Sequence, residues 1–291
     1  MNINLFQHFF LNDSFKSNLE KIIVYVAIAS FLVHLIFIGL VDFDLIDSGA
    51  FNELFISPLS AIYTPFSIIL IYEVYLLVFY IPKSITNYIG KQYEIITLIL
   101  IRKLFYDLSK LEFSSNWFSI SGDLEFTIDI IATLVLFALI LGFYSVNKQL
   151  KTSEKEINHK TKTYIKVKKI LASVLVPIIA IIAIYSFTDW FSTLNLQPDK
   201  ISQSIKSVNN VFFDEFFTIL IIVDFLLLLF SFLQTDEFSR VIRNSGFIIS
   251  TILIKLSFSA SGILNAILIV VAVSFGVLIL LIYKSYQKRL H

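Results

Sequence analysis

Eight stretches of this chain, at about 22–41, 58–81, 93–111, 126–146, 169–188, 213–233, 245–262 and 263–283, are mostly apolar over nearly a bilayer's length. A helix needs roughly 20 such residues to cross. In hydrocarbon every backbone polar group must be satisfied internally, which restricts single stretches of this kind to helices. The expected fold is therefore an all-α integral membrane protein of about eight transmembrane helices. Composition agrees: 57% of the 291 residues are hydrophobic and mean hydropathy is +0.81, beyond a soluble domain. The first apolar run, Ile22 to Val41, is too long for a signal-peptide core and has no small-residue cleavage site after it, so it reads as a span.

Loop charge orients the helices, because lysine and arginine collect on the cytoplasmic side. Lys16 and Lys21 precede the first span, Lys83 and Lys91 follow the second, and Arg240 and Arg243 follow the sixth. Eight lysines, at 148, 151, 155, 160, 162, 166, 168 and 169, follow the fourth, and Lys284, Lys288 and Arg289 close the chain. Asp42, Asp44, Asp47 and Glu53 lie after the first span with no basic residue among them. Eight spans with both termini cytoplasmic place the basic loops together; seven would separate them. Residues 1–20 carry Leu5, Phe6, Phe9 and Phe10 at helical spacing and read as an interfacial helix or a frayed terminus.

The chain also repeats itself. Pro65–Phe79 aligns without a gap on Phe216–Phe230, which sets Glu73 on Asp224. After two inserted residues, Ile95–Arg102 aligns on Ile248–Lys255, and Lys148-Gln-Leu150 resembles Lys288-Arg-Leu290. Four helices per unit is an even number, so the units share one orientation and form a parallel repeat. The expected division is a first unit over 21–146, a lysine-rich cytoplasmic linker over 147–168 and a second unit over 169–291.

Charged groups inside spans are costly and mark polar interiors or paths. Glu73, Arg102, Asp224 and Lys255 are such groups. Their estimated depths match within each unit, so acid–base pairing of Glu73 with Arg102 and of Asp224 with Lys255 is expected. Lys103, Tyr106 and Asp107 extend a polar stripe on the third span, with Lys103 and Asp107 spaced to pair. His34 lies inside the first span, as a packing residue or as a proton or ligand group. Asp129 is expected in the first turn of the fourth span, where a carboxylate suits the helix dipole. The small-residue pairs Ala138/Gly142 and Ala272/Gly276 permit close helix contact, between the units or in a homo-oligomer.

Several function classes are excluded or disfavoured. There is no cysteine, and net charge is +1, which gives no case for thiolate chemistry or for nucleic acid. No phosphate loop, zinc-protease or serine-hydrolase motif occurs, and the histidines are scattered. No enzyme activity, metal or cofactor is expected. Spans 4 and 8 carry no basic residue at every third position, unlike a voltage sensor. Two readings are left. One is an ion channel or ion-coupled transporter whose path is lined by the charged residues. The other is a non-transporting scaffold or signalling subunit with structural charge pairs. Besides the bilayer, anionic lipid or a protein at the linker is an expected partner. Heavy use of Ile, Phe, Asn, Lys and Ser suggests an AT-rich bacterial genome, and with it the bacterial inner membrane.

Overall fold

The computed structural model describes residues 11–43, 45, 58–108, 121–151, 165–179, 181–182, 185, 201–232 and 237–290. The Phe-rich residues 5–10, most of the acidic segment after Asp42 and residues 152–164 of the lysine-rich stretch lie outside them, as does the side chain of Tyr106. The described residues form helices joined by turns, without a strand. In chain order they are α1 (Asp13–Asp42), a 3-10 turn (Pro58–Ile62), α2 (Tyr63–Tyr80), α3 (Ile85–Leu108) and α4 (Ser121–Lys151). After a helical stretch α5 (165–179) come α6 (Ile201–Phe232), α7 (Phe238–Phe258) and α8 (Ile263–Leu290). Five of these helices are long and apolar enough to cross a membrane: α1, α4, the Glu215–Phe232 part of α6, α7 and α8.

Local chemistry sets the helix ends. The Asn12 side chain accepts the Ser14 N–H at 3.1 Å and starts α1 well before its apolar stretch. Ser84 does the same for α3, taking the Asn87 N–H at 3.2 Å. That cap opens α3 eight residues ahead of the boundary expected from hydropathy. At the other end of the bundle α7 turns into α8 within Ser259–Gly262, as expected, because Gly262 adopts φ 61°, a left-handed conformation open to glycine.

Packing makes α3 central. It touches α2, α4, α7 and α8. This explains its low hydropathy: Thr86, Gln92, Thr97 and Arg102 are all buried against protein. By contrast α1 packs on α2 and the 3-10 turn and exposes Ile22, Tyr25, Leu32 and Ile36 on its free side. Such a surface belongs in lipid. α4 packs along α8, and α6 along α7. The core runs unbroken from Leu77 and Ile96 through Phe143 to Phe217, Phe247 and Val273.

Contacts at one end of the bundle gather the basic turns. Lys168 of α5 reaches the α2–α3 turn, Asn147 of α4 bonds Asn87 of α3, and Lys284 of α8 bonds Gln149 of α4. The Arg243 guanidinium lies 4.4 Å from the Tyr283 ring, a cation–π geometry. We refer to this as the basic end.

Candidate functional site

The helix register places the acids and bases at different depths. Arg102 lies 17 residues after Ile85 and Lys255 lies 17 after Phe238, about 26 Å along each helix. Glu73 lies seven residues before Tyr80 and Asp224 eight before Phe232, about 11 and 12 Å in. The acids therefore sit nearer the basic end, and the bases sit toward the opposite end. The expected pairs do not close. The charged groups facing Glu73 are Lys91 and Glu94 of α3 and Glu20 and Lys16 of α1. Asp224 meets neutral groups first.

Asp224 is 4% exposed, and four helices build its surroundings. Gln92 Nε2 of α3 donates to Asp224 Oδ2 at 3.2 Å. The Gln92 Oε1 in turn accepts the Thr251 hydroxyl of α7 at 2.8 Å. One amide thus bridges two helices of the second half, as its opposite donor and acceptor ends allow. The Tyr88 hydroxyl, one turn earlier on α3, faces the same carboxyl. Lys168, at the start of α5, brings an ammonium within electrostatic reach from the basic end. Lys168 is 3% exposed, and its Nζ donates to the Lys83 carbonyl at 3.0 Å. Burial, then the like charge of Arg243, pushes the Lys168 ammonium down to about 8, while Asp224 pulls the other way.

A second polar layer lies one residue along α3. The Tyr93 hydroxyl and Ser250 Oγ are 2.8 Å apart, and Ser250 donates to the Ala272 carbonyl at 2.7 Å. The Tyr93 ring end fills the place a side chain on Gly276 would take. Ala272 and Gly276 therefore serve contact between the two halves. The matching pair on α4 does not: Ala138 is exposed, and nothing lies within 4 Å of where a Gly142 Cβ would stand.

The first half holds a more ionic arrangement. Glu94 takes the Lys91 ammonium and the Tyr144 hydroxyl at short range. Farther along α3, Lys103 pairs with Asp129 at 2.7 Å, and Asp129 has no exposed surface. This corrects two expectations. α4 begins at Ser121, so Asp129 lies in its third turn and not at the helix start. The partner of Lys103 is Asp129 and not the neighbouring Asp107. Arg102 is 6% exposed, Lys255 is half-buried, and neither joins the Asp224 cluster. His34 Nδ1 lies 2.6 Å from the Thr64 hydroxyl of α2, a bond that fits a packing role. No cluster of three or more metal-ligating side chains occurs among the described residues.

Sequence reasoning missed Gln92, Tyr88, Thr251 and Lys168. The available signal was a glutamine only one residue ahead of an apolar stretch, on a helix whose serine cap at 84 already marked an earlier start. Comparison with protein-family models, curated proteins and solved structures returns no match.

Proposed function

We propose that the chain is an ion-coupled membrane transporter in which Asp224 is the proton-binding carboxyl. One observation carries this reading: a carboxyl with almost no exposed surface accepts a hydrogen bond from Gln92, with Tyr88 and Thr251 beside it, all neutral, at the junction of α3, α6 and α7. A helix-docking ion pair would have met Lys255 instead. A carboxyl among neutral donors and acceptors can stay hydrogen-bonded with or without a proton, which suits a group that changes protonation during a cycle. Its enclosure favours alternating exposure over an open pore.

In this reading the chain has eight spans in two parallel four-helix repeats, with both termini cytoplasmic and the basic end facing the cytoplasm. The helix contacts support the duplication. α3 touches its counterpart α7, and α4 packs along its counterpart α8, as a pseudo-two-fold axis along the membrane normal requires. Asn147 bonds the start of α3 in one unit, and Gln287 bonds Glu237 at the start of α7 in the other. Arg102 and Lys255 share one register, 17 residues into their helices.

The test is proton flux into proteoliposomes with an internal pH-sensitive dye, comparing wild type with Asp224→Asn and Glu73→Gln. Asp224→Asn keeps an acceptor for Gln92, so the fold is retained while flux falls at least tenfold. Glu73→Gln, whose surroundings are ionic, has the smaller effect. Folded wild-type protein that moves no proton, with or without common ions present, sinks the transport reading. The burial of Asp224 would then favour the second reading, a non-transporting membrane scaffold whose polar centre fixes how the two halves dock.

A further inference from the structure

The Thr251 hydroxyl has one proton and two acceptors within reach. Gln92 Oε1 of α3 lies at 2.8 Å, and the Phe247 carbonyl of α7 itself lies at 3.1 Å. A hydroxyl rotates to give its proton to whichever acceptor is open, and its oxygen can accept at the same time. Gln92 stands between this hydroxyl and the Asp224 carboxyl, with Nε2 donating to Asp224 Oδ2 at 3.2 Å and Oε1 turned to Thr251. Both Gln92 and Thr251 are fully buried. The orientation fits an ionised carboxyl, which only accepts. A protonated carboxyl carries an O–H of its own and needs an acceptor. The other groups facing Asp224 are the Tyr88 hydroxyl of α3, the Thr251 hydroxyl of α7 and the Lys168 ammonium of α5. Among these side chains, Gln92 alone offers a carbonyl oxygen.

We propose that Gln92 is a positioning residue that passes the protonation state of Asp224 to α7, its amide turning over when the carboxyl takes up a proton. This rests on the reading of Asp224 as the proton-binding carboxyl. With the proton bound, the carboxyl O–H donates to Gln92 Oε1. Gln92 Nε2 then faces Thr251, whose oxygen accepts from it, and the Thr251 proton swings to the Phe247 carbonyl. With the proton gone, the amide returns and Thr251 again donates to Oε1. Each bond broken in one state is replaced in the other, so neither end of the amide is stranded. The turn needs rotation about the last torsion of the glutamine, which is broad and nearly two-fold. Its consequence lies in the backbone of α7. A threonine hydroxyl bonded to the carbonyl four residues earlier tends to bend its helix, and Phe247 stands in that relation to Thr251. Proton uptake on α6 is thereby converted into a bend in α7, the kind of motion that alternating exposure requires.

The test uses the full chain in liposomes, made with glutamine isotope-labelled at its side-chain carbonyl, and infrared difference spectra between acid and alkaline pH. Asp224→Asn identifies the Asp224 carboxyl band, and Gln92→Leu identifies the labelled amide band of Gln92. A carbonyl band falls in frequency when its oxygen accepts a hydrogen bond. If the amide turns over, Oε1 meets the Thr251 hydroxyl only while Asp224 is ionised. In Thr251→Val the alkaline amide band is therefore expected to move to higher frequency while the acid band keeps its wild-type position. Thr251→Ser, which keeps the hydroxyl, is expected to restore the alkaline band. Thermal melting of each variant in detergent checks that the fold is retained. Equal displacement of both bands in Thr251→Val, an unmoved alkaline band, or a wild-type amide band that does not follow the carboxyl band overturns the proposal and leaves Asp224 as a proton-binding group. No Asp224 carboxyl band at any pH removes both. The spectra need no flux. The expected pattern in a protein that moves no protons leaves the coupling standing while the transport reading falls.

Discussion

Gln92 and Asp224 are 132 positions apart in the chain, and the amide of one donates to the carboxyl of the other over 3.2 Å. Gln92 also accepts from Thr251, but that hydroxyl has a second acceptor in the Phe247 carbonyl at 3.1 Å, so losing the amide strands chiefly the Asp224 carboxyl. A buried polar group left stranded costs about 1–3 kcal/mol. Gln92→Leu is expected to lower the melting temperature in detergent measurably, and Gln92→Glu more so, since it sets a second carboxyl against Asp224. Equal melting of wild type and Gln92→Leu would remove the bridge from the account of how the halves dock.

Lys103 and Asp129 form a different kind of contact, an ion pair with one partner wholly enclosed. Removing the lysine alone leaves a buried carboxylate unpaired, a change that costs about 3–5 kcal/mol in such settings. Removing both charges together is far milder. Thermal unfolding of Lys103→Met, Asp129→Leu and the double variant is expected to show strong loss in the first and substantial recovery in the third. A double variant as unstable as Lys103→Met would show that the site needs charge for some other reason.

Tyr93 and Gly276 make a steric pair. Any side chain on Gly276 meets the tyrosine ring end, and overpacking of this kind costs about 1–3 kcal/mol. Gly276→Ala is therefore expected to destabilise, and Tyr93→Leu in the same chain to restore part of the loss. Gly142→Ala, where nothing lies within 4 Å, is expected to be neutral or slightly favourable, since alanine is the better helix former. Comparable losses at both glycines would contradict the packing.

The two pH-sensitive groups at the basic end act in opposite ranges. Burial raises the Glu237 carboxyl, but the Ser239 hydrogen bond, the Arg240 charge, the Gln287 bond and the Arg243 charge together hold it below the usual 4.5. Its folded value is the lower one, so its contribution is complete above about pH 4.5 and is lost as pH falls through the folded value. Lys168 is a base with a folded value lowered from 10.5 to about 8. The unfolded chain binds the extra proton between those values, so stability rises with pH across that window. Melting curves are expected to show an acid loss that Glu237→Gln reduces and an alkaline gain that Lys168→Met abolishes.

The apolar helices that face lipid were legible in the sequence because hydropathy measures the property that places them. The α7–α8 turn was legible too, since Gly262 is a residue free to take a left-handed conformation. The start of α3 was not. Hydropathy passes over Thr86, Asn87 and Gln92, whose neighbours are protein rather than lipid, and the Ser84 cap carries the information instead. With that start, Arg102 stands about 12 Å farther along its helix than the apolar stretch implies, out of reach of Glu73. α7 begins early in the same way, at Phe238, and its polar first turns hide that start from hydropathy for the same reason. Lys168 was hidden differently: one lysine among eight gives no sign of which is buried. The cluster at Asp224 needs contacts between residues more than 130 positions apart, which no local pattern encodes.

The burial of α3 against both halves bears on how the chain is made. Gln92 and Tyr93 find their partners on α6, α7 and α8, which a ribosome reaches only after more than a hundred further residues. Until then the most polar helix of the bundle must wait without its final neighbours. During synthesis it can be sheltered by α2 and α4, which flank it in both sequence and space. The first half is thus a provisional assembly, and the arrival of α6 to α8 converts it into the finished one.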